Sequence, residues 1–215
     1  MGLFRKAAPE APAASARPIR LHIGCGQQSI PGWINIDNQG LPGVDQVLDA
    51  RQGLPFGDVA AIYAEHFLEH LGFEDGLAFL AECRRVLRAD GILRLSTPNL
   101  DWVLTTHYRW QNVTDEDNRE DCIRLNRAFH GWGHQFLYNR PTLASALRAA
   151  GFANVAFRGY GESEVPELSG LERHETWEDT PLLPHVLIAE AAGRGKPEAI
   201  PEGLLKEFRE AMGSR

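Results

Sequence analysis

The residues best suited to chemistry are a glycine-containing turn and two acidic residues. Gly24 and Gly26 flank Cys25 directly after a short apolar segment, and Asp37 and Asp49 each follow a further one. Glycines at such a turn let the backbone approach a ligand and adopt positive φ angles. Asp37 can accept hydrogen bonds from both hydroxyls of a ribose, and Asp49 can accept from an exocyclic amine. The pattern favours a nucleoside site over a purely structural turn.

Alternating apolar segments and helical patterns predict the elements that position these residues. We predict strands at 19–23, 33–37, 44–48, 59–63, 92–96, 155–157 and 186–189. We predict helices from Leu77 to the stop at Gly91, from a capping box at Thr114 to Phe129, and from Pro141 to Ala150. This order predicts an α/β fold with a parallel sheet buried on both faces. A loop over 159–184 is expected to be a charged loop, with the alternative that Glu172, Arg173, His174 and Glu175 close over the site.

Composition limits the classes of function and partner. The 215 residues carry 22 Lys and Arg against 29 Asp and Glu, a net charge of −7, so we expect no nucleic-acid partner. No apolar run is long enough to span a membrane. Three widely spaced cysteines, Cys25, Cys83 and Cys122, fit a reducing compartment, and we expect a cytoplasmic protein.

The two ends of the chain differ from its centre. We expect residues 1–17, rich in Ala and Pro, to be a disordered tail. Residues 193–215 are expected to form a linker and an amphipathic helix, whose apolar positions are Leu204, Leu205, Phe208 and Met212. An oligomer could form through this helix.

Several runs resemble the class I S-adenosylmethionine-dependent methyltransferases. They are Leu21-His22-Ile23-Gly24-Cys25-Gly26, Pro31-Gly32-Trp33-Ile34-Asn35-Ile36-Asp37, Asp49-Ala50, His66-Phe67-Leu68-Glu69-His70-Leu71, Arg85-Val86-Leu87-Arg88-Ala89-Asp90-Gly91 and Ser96-Thr97-Pro98-Asn99. The sequence looks most like the small bacterial predicted methyltransferases of type 11, which are often linked with cell-surface glycan synthesis. It departs from the family at His22, where an acid is usual, and at Gln28, where a third glycine is common.

The resemblance implies a fold and an activity. The fold would be a Rossmann-like three-layer α/β sandwich over residues 18–192, with a seven-stranded, mostly parallel sheet whose last strand is antiparallel. Residues 100–138 would form an insertion or lid. The activity would be methyl transfer from S-adenosyl-L-methionine, class EC 2.1.1, to a small-molecule or glycan acceptor.

The resemblance also implies roles for individual residues. The turn of Gly24, Cys25 and Gly26 would lie against the methionine part of the cofactor. Asp37 would bind the ribose, and Asp49 with Ala50 would bind the adenine. His66 would sit beside the cofactor at the end of the fourth strand.

Two histidines are the candidate catalytic residues. A hydroxyl acceptor benefits from a base, and the imidazole of histidine titrates near neutral pH. His66 would lie beside the cofactor, and His134 closes the run His130-Gly131-Trp132-Gly133-His134 after the insertion. We expect His134 to orient or deprotonate the acceptor.

Three alternatives remain open. The chain could be an inactive methyltransferase-like module that binds a nucleoside, since an acid is missing at His22. It could be a zinc hydrolase, because His66, Glu69 and His70 match the H-x-x-E-H signature. A third metal ligand is not identifiable, so we predict no metal and treat Glu69 and His70 as a helix cap and a surface pair. A nicotinamide enzyme would need glycine where Ser29 stands.

Overall fold

Seven strands form one sheet in a computed structural model that describes residues 17–111, 113–174, 182–200, 205, 206, 209 and 210. The strands are β1 (Ile19–Ile23), β2 (Ile34–Asp37), β3 (Gln46–Val47), β4 (Val59–Glu65), β5 (Leu87–Pro98), β6 (Phe152–Arg158) and β7 (Val186–Arg194). Their order is β3-β2-β1-β4-β5-β7-β6. The pairs among β1 to β5 are parallel, and β7 runs antiparallel to both β5 and β6. The predicted mostly parallel α/β sheet with an antiparallel last strand is confirmed.

Between residues 17 and 200, the described α-helices are α1 (Phe73–Val86), α2 (Leu100–His107), α3 (Asp115–His130) and α4 (Arg140–Ala149). Leu80 of α1 and Leu147 of α4 share the main core with Ile62 of β4, and all three are fully buried. The neighbouring Tyr63 faces the other side of the sheet, in a second cluster with Leu168. Both faces are therefore buried, as the continuous apolar strands predict.

The local signals for two helices act as the sequence predicts. Thr114 and Asp117 form a capping box: Asp117 N donates to Thr114 Oγ1 at 3.1 Å, and Thr114 N donates to Asp117 Oδ2 at 2.9 Å. α4 starts with Pro141 in its first turn and ends before Gly151, whose φ is +90°.

The boundary between α1 and β5 differs from the prediction. α1 ends at Val86, and Gly91 lies inside β5 rather than stopping the helix. A Cβ atom at position 91 would stand 2.7 Å from the carbonyl oxygen of Val59. Gly91 therefore lets β4 and β5 approach closely, at the point where their register shifts.

The ends of the domain are only partly described. β7 runs to Arg194, two residues past the predicted domain end. The predicted tail at 1–17 lies outside the described residues except for residue 17, and the predicted C-terminal helix lies outside them except for residues 205, 206, 209 and 210. Among the residues described, no helix is both long and apolar enough to cross a membrane.

Candidate functional site

The glycine turn is tied to the end of the neighbouring strand. Gly24 and Gly26 follow β1 with φ angles of +67° and +52°. Gly26 N donates to Asp37 Oδ2 at 2.9 Å, and Cys25 N donates to Ile36 O at 3.1 Å. A Cβ atom at Gly24 would stand 2.6 Å from Cδ2 of Phe67. Gly24 thus meets both demands that favour glycine, a left-handed backbone and close packing.

Five of the predicted cofactor residues line one cavity of about 440 Å³: Gly24, Asp37, Asp49, Ala50 and His66. Cys25 and Gly26 shape the turn behind it and are not among its lining residues. The volume lies within the range of small-molecule sites, roughly 300–1,000 Å³. The strand-end acids therefore meet at one edge of the sheet, as parallel strands require.

The carboxylates of Asp37 and Asp49 differ in their hydrogen-bond and ion-pair partners. Each oxygen of Asp37 accepts one backbone N–H, Oδ2 from Gly26 and Oδ1 from Gln39, both at 2.9 Å. A carboxylate oxygen has a second lone pair, so Asp37 can accept two further hydrogen bonds. Asp49 caps the short turn Ala50–Gln52 and forms an ion pair with Arg51 at 2.8 Å. The hydrogen bond from Arg51 lowers the pKa of Asp49.

His66 stands directly after β4 and is held by a buried acid. Its φ of +47° is unusual for a residue with a side chain. Its Nδ1 lies 2.8 Å from Oε1 of Glu69, which is fully buried. The other carboxylate oxygen of Glu69 accepts from Thr97 Oγ1 at 3.1 Å. Burial lowers the pKa of His66, but the hydrogen bond to Glu69 and the charges of Glu69 and Glu65 together outweigh burial, so the pKa is raised overall.

A second, larger cavity of about 900 Å³ adjoins the first and includes His134 in its wall. His66, His70 and Trp132 line both cavities. The Nδ1 of His134 lies 2.8 Å from the carbonyl oxygen of Ala128, and its ring centroid lies 5.2 Å from that of His70. The predicted insertion thus supplies much of the wall of the larger cavity.

The comparisons with known proteins agree with this geometry. Residues 31–95 match the family model described as a methyltransferase domain, a segment that runs from the residues before β2 into β5. It includes Asp37, Asp49 and His66. This segment is similar to a methyltransferase domain. No curated protein sequence matches it significantly.

Solved structures share the fold of this chain at low sequence identity. A candidate exported protein of Bordetella parapertussis has a TM-score of 0.51 at 13% identity, with 83% of this chain and 63% of that chain covered. A candidate O-methyltransferase of Nostoc punctiforme also has a TM-score of 0.51, at 12% identity, with 80% and 50% covered. The chain therefore spans less than two thirds of the length of either neighbour, and the likeness shows the fold alone.

The H-x-x-E-H match does not form the helix that a zinc hydrolase of that type needs. His66 precedes a 3-10 turn of only three residues, Leu68–His70. His66 and His70 therefore do not share a helical face. The description of Glu69 as part of a surface pair is also wrong, because its side chain is fully buried.

The loop that follows β6 contacts the candidate site, which agrees with the alternative that it closes over the site rather than with the favoured charged loop. Glu172 is buried and pairs with Arg94 at 2.7 Å. His174 Nδ1 lies 2.8 Å from Oε1 of Glu65, and the ring of His174 contacts that of His66 at a centroid distance of 5.2 Å. Sequence spacing could not reveal these contacts, because the partners lie about a hundred residues apart.

Aromatic residues of the larger cavity were also missed. Trp102 and His107 come from α2, a helix that the sequence analysis left out, and His185 precedes β7. The ring of Trp102 contacts both histidines, at centroid distances of 5.2 Å to His107 and 5.6 Å to His185. The sequence feature that could have predicted α2 is Asn99, a favoured N-cap residue. It caps α2 by accepting a hydrogen bond from Asp101 N at 3.1 Å.

Proposed function

We propose that the chain is an S-adenosyl-L-methionine-dependent methyltransferase that acts on a small-molecule or glycan acceptor. The observation that carries the proposal is the junction of the two cavities at His66, His70 and Trp132. Methyl transfer requires a donor and an acceptor held together in a defined orientation. A cofactor in the smaller cavity and an acceptor in the larger one would meet at this junction.

The residues of the smaller cavity fit the cofactor. The free lone pairs of Asp37 suit the ribose hydroxyls, while Asp49 and Ala50 would hold the adenine. The turn formed by Gly24, Cys25 and Gly26 would lie against the methionine part, where the lack of a side chain at Gly24 keeps the backbone accessible. When bound, S-adenosylmethionine supplies an electrophilic methyl group on a sulfonium centre.

We assign His66 and His134 to the acceptor side of the site as catalytic residues. The Nδ1 of His66 is held by Glu69, and the Nδ1 of His134 by Ala128 O, which leaves the Nε2 of each ring for a ligand. Trp102 and Trp132 add aromatic surface to the same cavity. Aromatic faces and hydrogen-bonding histidines suit a hydroxylated ring, which supports the proposal of a sugar-like or small cyclic acceptor.

We further propose a cytoplasmic location for the protein. Cys25, Cys83 and Cys122 are all free thiols, and Cys122 is exposed. An exposed free thiol is typical of a reducing compartment.

A crystal structure with S-adenosylhomocysteine tests the proposed arrangement. We expect the ribose hydroxyls within hydrogen-bond distance of Asp37 and the sulfur facing His66. A nucleoside bound anywhere else would contradict the proposal.

Transfer of labelled methyl from S-adenosylmethionine to a panel of small sugars and glycans tests the activity itself. A His134→Ala variant that keeps cofactor affinity should lower turnover by about 10²–10⁴, the usual span for losing a catalytic proton-transfer group. Cofactor binding without transfer to any acceptor would favour the inactive binding module. That alternative is supported by His22, which is buried against Asn35 where the family usually has an acid.

A further inference from the structure

Three potential metal ligands meet in the wall of the larger cavity. Each of Glu69, His70 and His134 offers one ligand atom, and these atoms all lie within 4.8 Å of one another. Glu69 and His70 come from the turn after β4, whereas His134 comes from the loop after α3. We propose that Glu69, His70 and His134 bind a divalent transition-metal ion of the Zn²⁺ type.

The donor set selects the class of ion. Two imidazole nitrogens and one carboxylate form the protein ligand set of many catalytic zinc sites, which keep a further position open. Imidazole also suits Fe²⁺, Co²⁺ and Ni²⁺, whereas Mg²⁺ and Ca²⁺ prefer sites made of oxygen ligands. An ion on these three residues would keep its remaining positions open toward the cavity of about 900 Å³, because all three residues line it.

The surroundings of two of the three ligands, His134 and Glu69, are arranged as they are around bound metals. A metal-binding histidine usually donates its second ring N–H to a carbonyl or carboxylate, which fixes the nitrogen that faces the metal. His134 has this arrangement, with its Nδ1 2.8 Å from Ala128 O. Glu69 is oriented by Thr97 Oγ1 at 3.1 Å and by His66 Nδ1 at 2.8 Å. Within the described residues, the ring of His70 makes no hydrogen bond and is free to coordinate.

Gln135 fixes the two ligand-bearing segments to each other. Its backbone N donates to Glu69 O at 2.7 Å, and its Nε2 donates to His70 O, also at 2.7 Å. Because Gln135 follows His134 directly, these bonds hold all three ligands in one place. A site on rigidly joined segments loses little conformational entropy when an ion binds.

A cation would also stabilise the buried carboxylate of Glu69. Glu69 is fully buried, and within the described part of the chain its only ion-pair partner is His66. A buried carboxylate without Lys or Arg is costly unless another positive group neutralises it. A divalent ion would supply that charge. The sequence argument against a metal was the missing third ligand, and the fold brings His134 to that position.

The role of the ion rests on the proposed function. The ion would hold an oxygen of the acceptor beside the proposed cofactor cavity, because His70 lines both cavities. His134 would then orient the acceptor as a metal ligand.

Calorimetric titration of the chelator-treated full chain with Zn²⁺, and with Co²⁺ as a spectroscopic probe, tests the site. We expect one ion per wild-type chain. His70→Ala and His134→Ala should each weaken binding by more than about 100-fold, since even loss of a residue that only orients a ligand costs 10–100-fold. His130→Ala is the matched control, an exposed histidine four residues before His134 that is outside the cluster. It should bind the ion as the wild type does.

Melting temperatures confirm that each variant is folded, and His134→Gln replaces His134→Ala if the latter is unstable. The proposal is overturned if the wild type binds no ion, or if both ligand variants bind it like His130→Ala. S-adenosylhomocysteine titrated into the same preparations separates the two proposals. Nucleoside binding without ion binding overturns only the metal site, and ion binding without nucleoside binding overturns only the proposed function.

Discussion

Asp37 links the glycine turn to the proposed ribose site, because one carboxylate serves both. Its two oxygens accept from Gly26 N and Gln39 N, and it lines the cavity of about 440 Å³. We predict that Asp37→Ala lowers the affinity for S-adenosylhomocysteine more than tenfold in a protein that still folds. Hydrogen bonds to a charged group contribute about 1.5–3 kcal/mol, which corresponds to that loss.

Isothermal titration calorimetry measures this affinity, and Asp90→Ala is the control. Asp90 is exposed and pairs with Arg88 at 2.8 Å. Unchanged affinity in folded Asp37→Ala would remove Asp37 from the binding site.

Gly24 and Gly26 provide a matched pair for separating backbone strain from side-chain clash. Both have positive φ, so alanine at either position should cost about 1–2 kcal/mol. Only at Gly24 would the new methyl group meet Phe67, at 2.6 Å, whereas nothing lies within 4 Å at Gly26. We therefore predict that Gly24→Ala lowers the free energy of unfolding more than Gly26→Ala does. Urea denaturation measures both losses, and equal losses would show that Phe67 does not restrict Gly24.

The sequence predicts the position of a site residue correctly where that residue lies at the end of a strand. Asp37 and Asp49 could be placed together because they follow neighbouring parallel strands. The environment of Glu69 could not be predicted, since its partners Thr97 and Gln135 come from distant parts of the chain. A short pattern such as H-x-x-E-H reports spacing but not burial.

At the scale of elements, the loop after β6 is fixed by a buried arginine. Arg94 of β5 is fully buried and pairs with Glu172 of the loop and Glu190 of β7, both at 2.7 Å. The loop in turn places His174 against His66. The chain thus uses a structural ion-pair network to hold a loop at the candidate site.

We predict that Arg94→Met destabilises the protein by about 3–5 kcal/mol, because it leaves the buried carboxylate of Glu172 without its arginine and removes one of the two arginines that pair with Glu190. Hydrogen exchange should accelerate in residues 159–174 before other regions. Arg20→Ala is the control: Arg20 pairs with Glu167 at 3.2 Å in a partly exposed bridge, so its loss should cost less than about 1 kcal/mol. Equal stability of the two variants would show that the network does not hold the loop.

Element boundaries show where sequence patterns reach their limit. The apolar periodicity located α1, but β5 begins at Leu87 because that residue pairs with Val59 across a register shift. Such pairing depends on tertiary contacts that local propensity does not contain. α2 was missed for a different reason, since its cap Asn99 was seen only as part of a family motif.

At the scale of the whole molecule, acid stability should depend on Glu65. Burial raises the pKa of Glu65, but hydrogen bonds from His174 and from the backbone of Arg173 outweigh it and lower the pKa to about 2. A depressed folded-state pKa gives stability that is present above the unfolded value, about 4.3, and is lost as the pH falls toward 2.

We therefore predict that wild type is more stable than Glu65→Gln at pH 7, and that the gap narrows as the pH falls from about 4.5 to about 2. Urea denaturation at several pH values measures the difference in the free energy of unfolding between the two proteins. The contributions of the other carboxylates are shared by both proteins and cancel in this difference. A stability difference that stays constant over this pH interval would show that the ionisation of Glu65 does not make the stability depend on pH.

The central claim is that the cavity of about 440 Å³ holds S-adenosylmethionine and faces an acceptor cavity across His66. Calorimetric titration of the wild-type chain with S-adenosylhomocysteine tests the claim most directly, because it requires no knowledge of the acceptor. We predict saturable binding at one site per chain with micromolar or tighter affinity, and no binding of NAD under the same conditions. Absence of binding at millimolar S-adenosylhomocysteine, or equal binding of NAD, would contradict the account.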